Sequence, residues 1–478
     1  MVISRALCRR LVPVCAVLGV MLATSCTGSP SSTPSSTPSA APSSTAAGSA
    51  SGGKPNIVFV LTDDLSNNLV QYMPHVLALQ KAGTSFSNYT VTDSLCCPSR
   101  SSIFSGKFPH DTGVFTNTGA DGGFNVFHSR GEESDTFATV LQQVGYRTAM
   151  MGKYLNGYQP ADALGGSQPY VPPGWNEWDV AGNGYPEFNY DLNQNHQVMH
   201  YGHTGTDYLT DVVSGKGSSF ISAAAAAHAP FALEIATFAP HAPYTPAPQD
   251  ANAFPGLSAP RGPAFNTLPT DPPAWLASRG PLTSKETAQI DTDFRKRVQD
   301  VQAVDRMIAS LQDTLTKAGV AGNTDIVFSS DNGYHMGEYR LTPGKMTAFD
   351  TDVNVPLVAA GPGIRAGSVI SDPAQNIDLA PTFETLAGAA TPATVDGRSL
   401  IPLLSGQSDA GWRTTSYTYV EYTDGTIEYY NRATDPDELH NIAGQLPAST
   451  RTALHTDLTA MTNCHGDTAC WTASHLAH

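Results

Sequence analysis

Four apolar runs in this chain stop abruptly at polar or charged residues, and that pattern limits the possible folds more than any other feature. Pro55 to Asp64 reads PNIVFVLTDD, an unbroken apolar stretch closed by Thr62, Asp63 and Asp64. YRTAMMGKYL carries Lys153, FALEIATFAPH ends at His241, and TDIVFSSDNGYH delivers Asp331, Asn332 and His335. Short apolar runs without polar alternation predict strands covered on both faces. Helical stretches lie between them. The clearest starts near a cap residue, Ser284, and carries Ile290, Phe294, Val301, Val304, Ile308, Leu311 and Leu315 at helical spacing. Strands alternating with helices predict an α/β fold with a mostly parallel central sheet flanked by helices. Ligands of such sheets bind beyond the carboxyl ends of the strands. Four runs here bring carboxylate, carboxamide, lysine or histidine to that edge, which is the arrangement of an enzyme.

The ends of the chain have a different character. Arg5, Arg9 and Arg10 precede an apolar run from Leu11 to Leu22, then Ala23-Thr24-Ser25-Cys26. The run is too short to favour a spanning helix, so residues 1–26 read as a signal peptide. ATSC resembles a bacterial lipobox, with Cys26 as the lipidated first residue of an exported, envelope-anchored protein; ordinary cleavage nearby is the alternative. Residues 27–53 form a Ser/Pro/Ala-rich linker. Residues 54–408 are assigned to the catalytic domain and 409–478 to a smaller antiparallel-sheet subdomain. The latter has a hairpin around Thr423-Asp424-Gly425 and a helix over 448–461. Cys464 and Cys470 are read as a local disulfide. The net charge of −16 argues against nucleic-acid or general membrane-surface binding, leaving the lipid anchor as the expected membrane contact.

Asp63-Asp64 alone is equally a helix cap, and Asp331-Asn332-Gly333 alone is equally a turn. Together they offer three carboxylates and a carboxamide oxygen, hard donors suited to Ca²⁺, with Mg²⁺ second. No set of His and Cys with zinc-ligand spacing stands out in the sequence.

Cys96-Cys97-Pro98-Ser99-Arg100, running on to Gly106-Lys107, resembles the C-x-P-S-R element of the type I sulfatases. GKYLNGY around Lys153, APHAP around His241 and the SDNG…GK…FD segment with Asp331, Asn332 and Lys345 resemble further elements of that family. So does ATDPDELHNIAG near the C-terminal end. The likeness covers Lys54 to about Gly444 and is nearest to the glucosamine-6-sulfatase and extracellular sulfatase branch. It implies an alkaline-phosphatase-like fold and hydrolysis of an O-sulfate ester, on a sugar.

It also implies that a formylglycine-generating enzyme oxidises Cys96 to Cα-formylglycine, while Cys97 stays a small buried thiol. The hydrated aldehyde would attack sulfur with one hydroxyl and, through the other, expel sulfate; a serine would stop as a stable ester. Asp63, Asp64, Asp331, Asn332 and residue 96 are the implied metal ligands. Arg100 would orient the hydrate, Lys153 and Lys345 would neutralise the sulfate oxygens, and His241 would protonate the leaving alcohol. His335 and Asn156 are candidate substrate contacts. In place of the family's frequent K-x-H, this chain has Lys153-Tyr154-Leu155, which leaves the second deprotonation without an assigned base. Two other readings compete: a phosphonate monoester hydrolase or phosphodiesterase of the same superfamily, and a binding protein with an inactive site. Substrate choice is expected to lie in loops 159–190 and 243–281.

Overall fold

The computed structural model describes residues 53–407 and 417–475. The expected signal peptide, Cys26, nearly all of the linker and the boundary at 408 lie outside the described residues.

The first apolar run forms β1 (Asn56–Thr62), buried along its whole length. Ile57, Phe59 and Leu61 enter one apolar core, and Val58 and Val60 enter a second. That alternation is the mark of a strand with no solvent face. In chain order the other strands of the same sheet are β2 (Thr84–Phe86), β3 (Arg147–Lys153), β4 (Glu177–Ala181), β5 (Tyr190–Gln194), β6 (Gln197–Tyr201), β7 (Phe231–Ala236), β8 (Thr324–Ser330), β9 (Leu357–Ala360) and β10 (Ser368–Ile370). Their spatial order is β10-β2-β9-β8-β1-β7-β3-β4-β5-β6.

The five central strands, β8, β1, β7, β3 and β4, run parallel, as the apolar runs predict. The flanks differ. β9 is antiparallel to β8 and β2, and β5 is antiparallel to β4 and β6. The β5–β6 link is only Asn195-His196, both left-handed at φ 48° and 74°; a two-residue connection can only return the chain antiparallel. Nothing in Asn-His announces such a turn as Asn-Gly would.

Helices cover both faces. On one side lie α1 (Cys96–Ser105), α2 (Phe137–Gln143) and α5 (Leu379–Leu386), contributing Ile103, Phe104, Leu141 and Phe383 to the first core. On the other, α3 (Leu209–Ala226) and α4 (Ser284–Lys317) contribute Phe220, Phe294, Val301, Val304 and Leu311 to the second. The cap of α4 is Thr283, one residue before the expected Ser284. Its hydroxyl accepts from the Glu286 amide at 3.2 Å while Glu286 accepts from the Thr283 amide at 2.7 Å.

The C-terminal hairpin pairs β11 (Tyr417–Glu421) with β12 (Ile427–Asn431), and Gly425 takes φ 86° in the turn. Tyr430 of β12 packs with Tyr339, Leu341 and Phe349, so the hairpin leans on the segment that follows Asp331-Asn332-Gly333. Helix α6 (Ala448–Met461) matches the sequence expectation, and Cys464 and Cys470 form the expected disulfide.

Candidate active site

Register decides which polar residues meet. Leu61 pairs with Ala236 and Thr62 with Ser330, so Asp63 and Asp331 leave the sheet side by side. Thr237 to His241 leave β7 on the other flank of β1. The Asp63 amide donates to the Ala239 carbonyl and the Asp64 amide to Asp331 Oδ1 at 3.1 Å. Asp64 takes the left-handed conformation at φ 64°, which turns its carboxylate back over the strand ends. Both Ala239-Pro240 and Ala242-Pro243 are cis, bracketing His241.

Helix α1 begins at Cys96 and points its first turn at this corner. The Cys96 thiol, 1% exposed, donates to Asp63 Oδ1 at 3.4 Å and accepts from Lys345 Nζ at 2.6 Å. Arg100, one turn on, donates from Nε to Asp331 Oδ2 at 2.7 Å and from Nη1 to the Lys153 carbonyl at 3.0 Å. Lys153 is bound to Asp63, and Lys345 to Asp64. Lys345 also reaches Asn332 Oδ1 at 3.3 Å, and Asn332 Nδ2 donates to Asp64 Oδ1 at 2.7 Å. His241 Nδ1 contacts the Ala242 carbonyl at 2.7 Å. A carbonyl only accepts, so Nδ1 carries hydrogen and Nε2 is the atom facing Asp64, 3.7 Å away.

The electrostatics follow from this packing. Burial pushes the Asp63 carboxyl up, but Lys153, His241 and Lys345 outweigh it and hold it below the usual range. Burial likewise acts on Asp64, and Lys345 and His241 again bring it below that range. The same carboxylates hold the Lys153 and Lys345 ammonium groups charged against burial. Burial, followed by Asp63, pushes the Cys96 thiol up to about 12, so the unmodified side chain stays protonated and is a weak nucleophile.

Eight of the eleven residues singled out in the sequence meet here: Asp63, Asp64, Cys96, Arg100, Lys153, Asp331, Asn332 and Lys345 form one bonded network. Single donor atoms of Asp63, Asp64, Cys96 and His241 lie within 4.8 Å of one another. His335 is engaged elsewhere: its Nδ1 lies 3.0 Å from the Asp352 carboxylate, and its backbone pairs with Gly344. Asn156 donates to the Tyr185 hydroxyl at 3.1 Å. Cys97 is a buried free thiol, unpaired with Cys96.

Two further residues were not singled out in the sequence. Tyr185 lies 4.5 Å from the His241 ring and 5.0 Å from the Lys153 ammonium. Arg297, fully buried on α4, donates to the carbonyls of Asp64 and Pro240 and so ties the β1 corner to the His241 loop. Its signal was present: an arginine three residues after Phe294 falls on the apolar stripe of the helix. Tyr185 sits in a loop without periodicity and left no signal.

Residues 55–389 match the sulfatase family model. This chain belongs to the sulfatase family. Human N-acetylglucosamine-6-sulfatase is 38% identical over 379 residues, covering 77% of this chain and 67% of the relative. The extracellular sulfatase SULF-1 homolog of Drosophila melanogaster is 35% identical over 364 residues, covering 75% of this chain and 32% of the relative. Among solved structures, BT4656 in complex with its substrate D-glucosamine-2-N,6-O-disulfate superposes with a TM-score of 0.72 at 22% identity, covering 86% of this chain and 98% of that one. A phosphonate monoester hydrolase of Agrobacterium radiobacter has the same fold, with a TM-score of 0.65 at 18% identity over 85% and 95% of the two chains. The architecture is therefore shared with proteins named for two different chemistries.

Proposed function

We propose that this sulfatase hydrolyses an O-sulfate ester on a sugar of the glucosamine-6-sulfate kind, using a residue made from Cys96. The observation that carries this reading is the placement of Cys96 at the head of α1, in contact with both Asp63 and Lys345. The 38% identity to the human glucosamine-6-sulfatase supports the sugar class.

Family membership implies Cα-formylglycine at position 96, and the surroundings fit it. Lys345 and Asp63, one donor and one acceptor, stand on the side-chain atom that an aldehyde hydrate would replace. The hydrate supplies an oxygen nucleophile together with a second hydroxyl that regenerates the aldehyde. A divalent cation is likewise implied, and Asp63, Asp64, Asp331 and Asn332 would hold it. Their buried hard oxygens already converge on the Lys153, Lys345 and Arg100 cations, which is the demand for positive charge that such a set creates. Four oxygens outnumber the one imidazole nitrogen, His241 Nε2, that lies near them, and that balance favours Ca²⁺ over transition metals. The cation supplies Lewis-acid charge.

The remaining roles belong to the protein side chains. Arg100 fixes Asp331 and the Lys153 carbonyl, and so sets the α1 head against the strand edge. Lys153 and Lys345 neutralise sulfate oxygens as the S–O bond breaks. His241, a quarter exposed at the mouth of the cluster, gives its Nε2 proton to the departing sugar oxygen. His335 acts through Lys345: Asp352 accepts from His335 and from both the amide and hydroxyl of Thr347, bracketing the Gly344-Lys345 turn. Tyr185, held by Asn156, lies against His241 and would meet an entering sugar ring.

The leader read in residues 1–26 and the extracellular sulfatase among the relatives support export, with Cys26 as the lipid anchor of a bacterial envelope protein. The maturation partner is a formylglycine-generating enzyme. Because Cys96 is buried, that enzyme must act before the chain closes over α1.

The test joins two measurements on protein from its own host: the mass of the tryptic peptide ending at Arg100, and sulfate release from glucosamine 6-sulfate beside turnover of an aryl phosphonate ester. An aldehyde at position 96 with preferential sulfate release is expected. An unmodified thiol, or preference for the phosphonate, overturns the reading.

A further inference from the structure

The sequence shows no zinc-ligand spacing, but the fold creates a compact His/Asp set from residues far apart. One donor atom each from His110, Asp111 and His465 lies within 4.8 Å of the others. Asp111 and His465 are 354 residues apart in the chain, yet His465 Nδ1 is bonded to Asp111 Oδ1. His110 Nε2 lies 3.9 Å from the same oxygen, and the two imidazole rings are 5.8 Å apart at 67°. A tetrahedral zinc with ligands at about 2.0–2.1 Å spaces its donor atoms roughly 3.3 Å apart. Closing the set therefore needs a shift of about 0.6 Å between His110 and Asp111, at most about 1.5 Å between the two imidazoles, and the release of the Cys464 carbonyl by His110 Nε2.

The frame around these donors is built. Asp396 is 2% exposed and accepts from the Phe108 amide at 2.8 Å and the Gly466 amide at 2.7 Å, pinning the backbone beside all three donors. Phe108 stacks on His110 at 5.5 Å. The Cys464–Cys470 disulfide closes the loop that carries His465. On the outer side the His465 side chain is 72% exposed, and it lines an open groove of about 790 Å³ with Cys464, Gly466 and Thr468. Three protein donors with an open outer face leave a fourth position for water or another ligand.

Two imidazoles and a carboxylate make a borderline donor set, which suits zinc and disfavours calcium. We propose that His110, Asp111 and His465 form a zinc site, separate from the Asp63–Asp331 cluster, which fastens the C-terminal disulfide loop to the segment following α1. The site is independent of the catalytic reading and does not depend on which ester is cleaved.

The test uses the full chain saturated with Ca²⁺ and titrated with Co²⁺ as an optical probe for zinc. One equivalent of Co²⁺ should give a visible ligand-field band that Zn²⁺ abolishes, and Zn²⁺ should raise the Tm. Both effects should vanish in His465→Ala and in Asp111→Asn and persist in Asp64→Asn, while His465→Ala keeps its sulfate-releasing activity. His465 is largely exposed, so its loss leaves the fold intact, which circular dichroism checks. A wild-type chain with no band, or a band that survives His465→Ala, overturns the proposal. So does a band lost only in Asp64→Asn.

Discussion

Asp63, just past the end of β1, and Glu234, within the adjacent β7, are both buried carboxyls, and their pKa values are driven in opposite directions. At the carboxyl edge, burial raises the Asp63 and Asp64 carboxyls, but neighbouring cations, led by Lys153 at Asp63 and Lys345 at Asp64, bring both below the usual range. Glu234, in the middle of β7, is 2% exposed, and neither oxygen has a hydrogen-bond partner among the described residues. Burial pushes it up to about 8, with only Arg100 opposing. The cost of desolvation has the same sign at both places. What differs is whether the fold delivers cations, and it does so only where the strands end and loops can carry them.

Substitutions test this contrast, beginning with the largest expected effect. Cys96→Ser removes sulfate release to background in a steady-state assay, because an ordinary hydroxyl cannot regenerate itself from a sulfate ester. Lys345→Met lowers kcat by roughly 10²–10³. It also destabilises the metal-free protein by about 3–5 kcal/mol, since Asp64 is left buried without its partner. Denaturant titration in chelator measures the second effect, and restoring the cation should recover part of it.

Glu234→Gln reports on the other region. The folded pKa of about 8 stands above an unfolded value of about 4.3, so the folded protein binds the extra proton between them. The stability this provides is complete below pH ~4.3 and is lost as the pH rises through 8. The variant should therefore lack this part of the alkaline loss and exceed the wild type at pH 9 by a few kcal/mol, on the order set by linkage. Equal pH profiles for the two proteins would remove Glu234 from the contrast. Asp63 and Asp64 carry the opposite sign: their contribution is present above pH ~3.9 and is lost on acidification. Tyr185→Phe is the mildest change. It removes the Asn156 hydrogen bond, worth about 1 kcal/mol, and should raise KM several-fold with little change in kcat.

The catalytic edge was legible in the sequence because each contributing strand is short, apolar and closed by the residues that matter. Asp63, Lys153, His241 and Asp331 all follow or end such runs, and a parallel sheet brings their ends to one side. Lys345 lies in a loop with no such marker and was found only through the family motif. Arg297 was visible as a charge on an apolar helical stripe, but its target was not, because the carbonyls of Asp64 and Pro240 reach it through the packing of α4 against the sheet.

Local chemistry therefore determined the strands, the long helix and the C-terminal disulfide, all of which depend on neighbours within a few residues. The tertiary structure decided the antiparallel flanks, the pairing of His335 with Asp352, the tilted packing of Tyr185 against His241 and the meeting of His110 with His465. Each of these depends on distances between segments that are remote along the chain. Residue spacing cannot encode those distances; only the closed packing of both cores against the sheet sets them.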